Sequence, residues 1–114
     1  MFKVTLIAGI TQDRDGKPIH DTLHKLQNIR GRMARDFGGY TEVQSYGGWI
    51  DGDGALVEEL GRTWTIYTDK EFAYKHAHAL AEFISFELNQ DSVVLDVTET
   101  GASFINQPAA AVAA

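Results

Sequence analysis

The chain has no cysteine among its 114 residues. Disulfide bonds and thiolate metal ligands are therefore excluded, and the composition suits a reducing compartment, so we expect a cytoplasmic protein. No apolar run is long enough to span a bilayer, and no basic-then-apolar segment opens the sequence as in an export signal. We therefore expect no membrane partner.

Positive charge is also scarce. Lys and Arg number 10 against 16 Asp and Glu, giving a formal net charge of −6. Binding to DNA or RNA normally requires a basic surface that displaces counterions, so we expect no nucleic-acid partner. An acidic surface suits a cationic small molecule or a basic protein, although it also serves solubility alone.

Familiar catalytic and metal-binding motifs are missing. There is no phosphate loop, nucleophile elbow or dinucleotide fingerprint. Two Asp-Gly-rich segments, 13–16 and 51–54, resemble calcium loops, but the twelfth positions hold His24 and Arg62 instead of the required glutamate. His20 and His24 can share a helix face, but the sequence places no third ligand beside them. We predict turns at both segments, no metal site and no cofactor.

The most distinctive stretch is Gly38 to Glu59, which holds six of the chain's 11 glycines. Its first part alternates between two sides, which is typical of a strand. The pair Gly47-Gly48 predicts a bulge or bend in that strand. Two short apolar arms then flank the turn 51–54, which predicts a β-hairpin projecting from the strand's end.

The rest of the chain supplies the other elements of a small α+β domain. Phe2 to Gly9 alternates as a strand, and an apolar stripe from Leu23 to Phe37 predicts a helix over 21–36 capped by Asp21. A strand over 62–68 follows a break at Gly61, and Thr68 with Glu71 form a capping box for a helix over 70–88. Residues 92–98 form the last main strand, and 102–105 can pair again at an edge.

This order predicts a ferredoxin-like βαββαβ sandwich, with two helices on one face of an antiparallel sheet and an extra β-hairpin. One domain covers 1–106, and an Ala-rich tail, 107–114, is expected to fray. The strands carry apolar residues on both sides, more than one layer of helices covers. We therefore predict a homo-oligomer, and specifically a trimer, that covers the open face.

A candidate site combines aromatic rings with carboxylates near the predicted bend. Such a combination suits an organic cation through cation–π and Coulomb attraction. The alternative is that the rings pack in a subunit interface and the glutamates are solvated. Glu58 and Glu59 should point to opposite sides, and the side shared with bulky Leu56 is expected to be buried, so Glu58 is the predicted catalytic residue. The predicted ligand-binding residues are Tyr40, Glu42, Tyr46, Trp49 and Glu59.

Several short motifs lie across residues 38–105: Gly39-Tyr40 with Val43 and Ser45, Gly54 to Glu58, Asp69-Lys70, and Gln90-Asp91 with Val93. With these motifs, the layout resembles the small phage-encoded S-adenosylmethionine lyases. The same features also resemble a wider set of small phage proteins of unknown function. The lyase resemblance implies a ferredoxin-like trimer with sites between subunits.

It also implies cleavage of a cationic adenosyl substrate to methylthioadenosine and homoserine lactone. The alternatives are a non-enzymatic phage protein that sequesters a nucleotide signal or inhibits a host defence protein, and a structural oligomer without a ligand.

Overall fold

A computed structural model describes residues 1–107. Their four strands form one sheet in the order β2-β3-β1-β4, and each neighbouring pair is antiparallel. The elements in chain order are β1 (Phe2–Gly9), α1 (Thr22–Phe37), β2 (Thr41–Ile50), β3 (Leu56–Thr68), α2 (Ala77–Leu88) and β4 (Val94–Glu99), with a π-helical segment at Phe72–His76 that leads into α2.

Both helices pack on one face of the sheet, because alternate strand residues on that face are apolar and meet the apolar stripes of α1 and α2. One hydrophobic core results, with Trp64 as its largest fully buried side chain. The predicted α+β, ferredoxin-like architecture is therefore confirmed. The sheet contributes Val4, Leu6, Trp64 and Ile66 to this core, and the helices contribute Leu26, Ile29, Met33, Leu80, Ile84 and Leu88.

The opposite face of the sheet carries no helix within residues 1–107. Apolar side chains on it remain open to solvent: Ile7 is 39% exposed, and Val43 and Val94 are each 53% exposed. We call this surface the open face. It also carries Glu59 and Trp49, because both share the strand parity of these residues.

Strands β2 and β3 form one long hairpin, and the predicted bend in it is wrong. Gly47 and Gly48 pair in register with Glu59 and Glu58, so the ladder runs unbroken from Thr41 to Ile50. The predicted break at Gly61 is also wrong. Glycine is needed there because a Cβ would lie 2.5 Å from the carbonyl oxygen of Ala8.

The turn that closes this hairpin lies where the sequence predicts it. Asp51 accepts hydrogen bonds through Oδ1 from the backbone N–H groups of Asp53 and Ala55, both at 2.9 Å. Gly54 has a φ of 80°, which glycine adopts without strain. The extra hairpin is thus a continuous extension of β2 and β3 beyond the helices.

The predicted helix caps need correction at both N-termini. Asp21 has a φ of 54° and makes no side-chain cap, and α1 begins at Thr22. The helical segment that leads into α2 is capped by Asp69, whose Oδ1 accepts a 2.9 Å hydrogen bond from the N–H of Phe72, so the predicted capping box of Thr68 and Glu71 is wrong. Gly38 ends α1 in the left-handed conformation.

The C-terminal part differs slightly from the prediction. β4 begins at Val94, two positions later than expected, and residues 102–105 form no strand. Most of the predicted tail, 108–114, lies outside the described residues. Neither helix within residues 1–107 is long and apolar enough to cross a membrane.

Candidate ligand cleft

A cleft of about 730 Å³ opens on the open face, where β1 ends beside the long hairpin. The loop after β1 and the segment after α2 form its other walls. Among its lining residues are Ile7, Gly9, Gln12, Asp13, Arg14, Tyr46, Trp49, Val57, Glu59, Gln90, Asp91 and Val94.

Glu59 is the one buried charged residue in the described part of the chain, at 6% exposure. It lies on β3 opposite Gly47, where the loop after β1 crosses the strand. Its Oε2 accepts three hydrogen bonds, from the N–H and Oγ1 of Thr11 at 3.2 and 2.7 Å and from the N–H of Gln12 at 3.0 Å. Charge-assisted bonds of this kind make burial of a carboxylate tolerable.

The second oxygen of this carboxylate, Oε1, has different surroundings. Within residues 1–107, no group donates a hydrogen bond to Oε1, and the atom is not sealed from solvent. It lies directly over Gly9, where a Cβ would come within 2.0 Å of it. One oxygen is therefore fixed by the protein, and the other remains available to a ligand.

The side chain of Gln90 also holds the loop that contains Thr11 and Gln12. Gln90 donates both of its side-chain amide hydrogens, to the carbonyl oxygens of Gly9 at 3.0 Å and Gln12 at 2.6 Å. Ser85 in turn donates from its hydroxyl to the carbonyl of Gln90 at 2.7 Å. Residues far apart in sequence thus converge on one carboxylate.

The cleft is strongly acidic. Six carboxylates line it (Asp13, Asp15, Asp51, Asp53, Glu59 and Asp91), against one cationic side chain, Arg14. Arg14 is already paired with Asp91 at 2.7 Å. Such a field attracts a cation and disfavours a phosphate-rich ligand.

Glu58 is exposed and lies outside the cleft lining, so its predicted burial beside Leu56 is wrong. Leu56 is itself 61% exposed, because the hairpin extends beyond the helices that would cover this side. The carboxylate of Glu58 instead accepts a hydrogen bond from the hydroxyl of Tyr46. That bond, with a smaller contribution from burial and the nearby negative charge, raises the pKa of the Tyr46 phenol.

Glu42 lies away from the cleft, between α1 and the sheet. Arg30 donates to it through two nitrogens at 2.8 and 2.6 Å, and the indole of Trp64 donates at 2.7 Å. Arg62 adds a further ion pair at 3.4 Å. The bond from Arg30 is the main cause of the lowered pKa of the Glu42 carboxyl. Its surroundings are those of a structural ion pair.

The predicted ligand-binding residues therefore separate into two groups. Trp49, Tyr46 and Glu59 line the cleft, whereas Tyr40 and Glu42 do not. Sequence reasoning missed Thr11, Gln12 and Gln90, since nothing in a polar loop or a helix terminus indicates which distant carboxylate it contacts. The roles of all these residues in ligand binding remain predictions.

Comparison with solved structures shows which proteins share this fold. A phage S-adenosylmethionine lyase in complex with S-methyl-5'-thioadenosine superposes with a TM-score of 0.67 at 23% identity, covering 86% of this chain and 80% of the lyase. A phage S-adenosylmethionine lyase in the apo state gives a TM-score of 0.67 at 19% identity, with coverages of 85% and 78%.

A second group of similar structures consists of CutA proteins. The periplasmic divalent cation tolerance protein CutA from Archaeoglobus fulgidus superposes with a TM-score of 0.62 at 8% identity, covering 91% of this chain and 88% of that one. No protein-family model and no curated protein matches the chain. These comparisons confirm the predicted resemblance to phage S-adenosylmethionine lyases at the level of the fold.

Proposed function

We propose that the protein is a lyase acting on S-adenosylmethionine or a closely related adenosyl sulfonium, and that the reaction takes place in the acidic cleft. The observation that carries this proposal is the charge of the cleft together with the free oxygen of buried Glu59. A sulfonium compound with an ammonium group carries two positive centres, which suit a cleft lined by six carboxylates and one arginine.

The proposed reaction is an internal displacement. An oxygen of the substrate's own carboxylate attacks its γ-carbon, the carbon–sulfur bond breaks, and the electron pair passes to sulfur. The products are neutral methylthioadenosine and homoserine lactone, with no water consumed. Because the sulfonium is already a good leaving group, the protein mainly has to fold the substrate into the attack geometry and exclude water.

Glu59 replaces Glu58 as the residue that we assign to this chemistry. Its Oε2 is held by three donors, so Oε1 has a fixed position from which to accept a hydrogen bond from the substrate's ammonium or ribose. A preorganised carboxylate of this kind costs no reorganisation when the substrate binds. Glu58 has no comparable contact with the cleft.

Trp49 provides a surface for the adenosyl group or the sulfonium. Its side chain is 44% exposed and lines the same cleft as Glu59. An indole face attracts a cation and stacks on an adenine ring. The thioadenosine bound by the structurally similar phage lyase is the kind of product that this surface would hold.

A second copy of the chain would complete the cleft. The cleft lies on the open face, beside exposed Ile7 and Val94, so a neighbour covering that face would also shield the substrate from water. We propose that three copies assemble in this way. In this assembly, a neighbouring copy closes the side of the cleft that is open in a single chain.

The direct test is incubation of the purified protein with S-adenosylmethionine, followed by chromatography for methylthioadenosine. The expected result is formation of methylthioadenosine and homoserine lactone in equal amounts. Wild-type protein that binds the compound in calorimetry but forms no product would instead indicate a sequestering protein. Absence of both binding and product would remove the proposal.

A further inference from the structure

Gln90 lies between α2 and β4, yet its side chain contacts the loop that follows β1, near the N-terminus. Its Nε2 donates to Gly9 O and Gln12 O at 3.0 and 2.6 Å. An amide NH₂ group has two hydrogens, so both are already used within the protein. Gln90 lines the cleft but has no hydrogen left to donate to a ligand.

Both backbone polar groups of Gln12 are hydrogen-bonded to side chains. The N–H of Gln12 donates to Glu59 Oε2 at 3.0 Å, while its C=O accepts from Gln90 at 2.6 Å. The adjacent Thr11 supplies the other two donors to that oxygen. Any displacement of Gln12 away from Gln90 therefore moves the donors that fix the carboxylate.

The segment after α2 supports this arrangement at two further points. The backbone N–H of Arg14 donates to the carbonyl of Asn89 at 2.8 Å, and Ser85 fixes the backbone of Gln90 through its hydroxyl. These bonds fix the backbone position from which the Gln90 side chain extends. Its reach to the loop is then set by its own length, which asparagine does not reproduce.

We infer that Gln90 is a positioning residue for the reaction: it holds the Thr11–Gln12 segment against Glu59 and so sets the direction of the free carboxylate oxygen. This inference rests on the proposed function, because it assigns a catalytic consequence to a hydrogen-bond arrangement. It predicts a loss of turnover that appears in kcat, whereas loss of a direct contact between the substrate and the amide oxygen of Gln90 would instead raise KM.

The test compares Gln90→Met, which keeps the length and removes both donors, with Gln27→Met as the matched control. Gln27 is exposed on α1, so Gln27→Met makes the same chemical change far from the cleft. Backbone amide exchange at Thr11 and Gln12, measured by NMR without ligand, should be faster in Gln90→Met and unchanged in the control. With substrate, kcat should fall by about tenfold to a hundredfold while KM stays within about threefold.

Ser85→Ala provides a milder variant if Gln90→Met folds poorly, and it should shift amide exchange and kcat in the same directions by smaller amounts. Unchanged exchange at Thr11 and Gln12, or a rise in KM with kcat unaltered, would overturn the inference. If the wild-type protein does not convert S-adenosylmethionine, the proposed function and the catalytic consequence fail together. The amide exchange then still decides whether Gln90 holds the segment.

Discussion

At the scale of single residues, the adjacent glutamates 58 and 59 have the same side chain but differ in burial and in hydrogen-bond partners. Glu59 is buried under three donors, whereas Glu58 is exposed and bonded to a tyrosine. Strand alternation alone predicts that they face opposite sides, and this is correct. Which side is covered depends on a loop 48 positions earlier, so the sequence pattern around Leu56 gave the wrong choice.

Glu59→Gln should lower kcat/KM by about tenfold to a hundredfold, because a charge-assisted contact is worth about 1.5–3 kcal/mol. Glu58→Gln removes the same charge one position away and should leave activity within about twofold. Steady-state product formation measures both. Equal losses in the two variants would show that the position of the carboxylate does not matter.

The Tyr46 phenol should titrate closer to its ordinary pKa in Glu58→Gln. The glutamate oxygen accepts the phenol hydrogen and carries a negative charge, and both disfavour the phenolate, so removing the charge lowers the raised pKa. Ultraviolet titration of the phenolate measures this shift. A phenol that titrates identically in both proteins would contradict the contact.

Gly9 should be intolerant of a side chain. In Gly9→Ala the new Cβ would lie 2.0 Å from Glu59 Oε1, so the carboxylate has to move out of its position. We expect loss of most activity. The matched control is Gly31→Ala on α1, where a Cβ meets nothing within 4 Å and should stabilise the helix by about 1 kcal/mol. Full activity in Gly9→Ala would show that the oxygen over Gly9 is dispensable.

At the scale of secondary-structure elements, Glu42 connects three of them. It joins Arg30 on α1 to Trp64 and Arg62 on β3. Glu42→Ala leaves two guanidinium groups and a buried indole N–H without their acceptor and should cost about 2–4 kcal/mol. Denaturant unfolding measures this loss. A cost below about 0.5 kcal/mol would place Glu42 among ordinary surface residues.

The same contact predicts a dependence of stability on pH. The pKa of Glu42 is lower in the folded protein than in the unfolded chain, so folding favours the ionised form. The stabilisation is therefore complete above the unfolded-state pKa and is lost as pH falls through the lowered folded-state pKa. Acid titration of the unfolding free energy should show a shallower decline in Glu42→Gln than in the wild type.

The element order was predictable because both helices and the strands β1, β3 and β4 show hydrophobic periodicity, and residues 40–46 alternate between two sides as in a strand. The errors within β2 and β3 occur where glycine was interpreted as an interruption. Gly47, Gly48 and Gly61 all lie inside regular ladders, and at Gly61 the reason is the close backbone of Ala8. A sequence does not distinguish a glycine that breaks a strand from one that lets a neighbour approach. The predicted N-caps were wrong for a similar reason, because several polar residues near each helix N-terminus could serve as the cap.

At the scale of the whole molecule, the open face determines the expected assembly. We predict a trimer, with Val43 of each copy within or beside the contact. Val43→Lys should reduce the mass measured by light scattering towards that of one chain, because a buried lysine opposes association. Phe86→Lys is the matched control, as Phe86 is 81% exposed on α2 and distant from this face. A wild-type protein of single-chain mass at micromolar concentration would exclude the prediction.

The convergence on Glu59 has a consequence for protein synthesis. Its donors come from Thr11 and Gln12, and the residue that secures them, Gln90, is made 78 positions after Gln12. Until Gln90 has been made and has left the ribosome, the Thr11–Gln12 segment lacks the two hydrogen bonds from the Gln90 amide. The cleft therefore reaches its final form only after that point. A nascent chain released before that point would carry the hairpin and its glutamate without a fixed cleft.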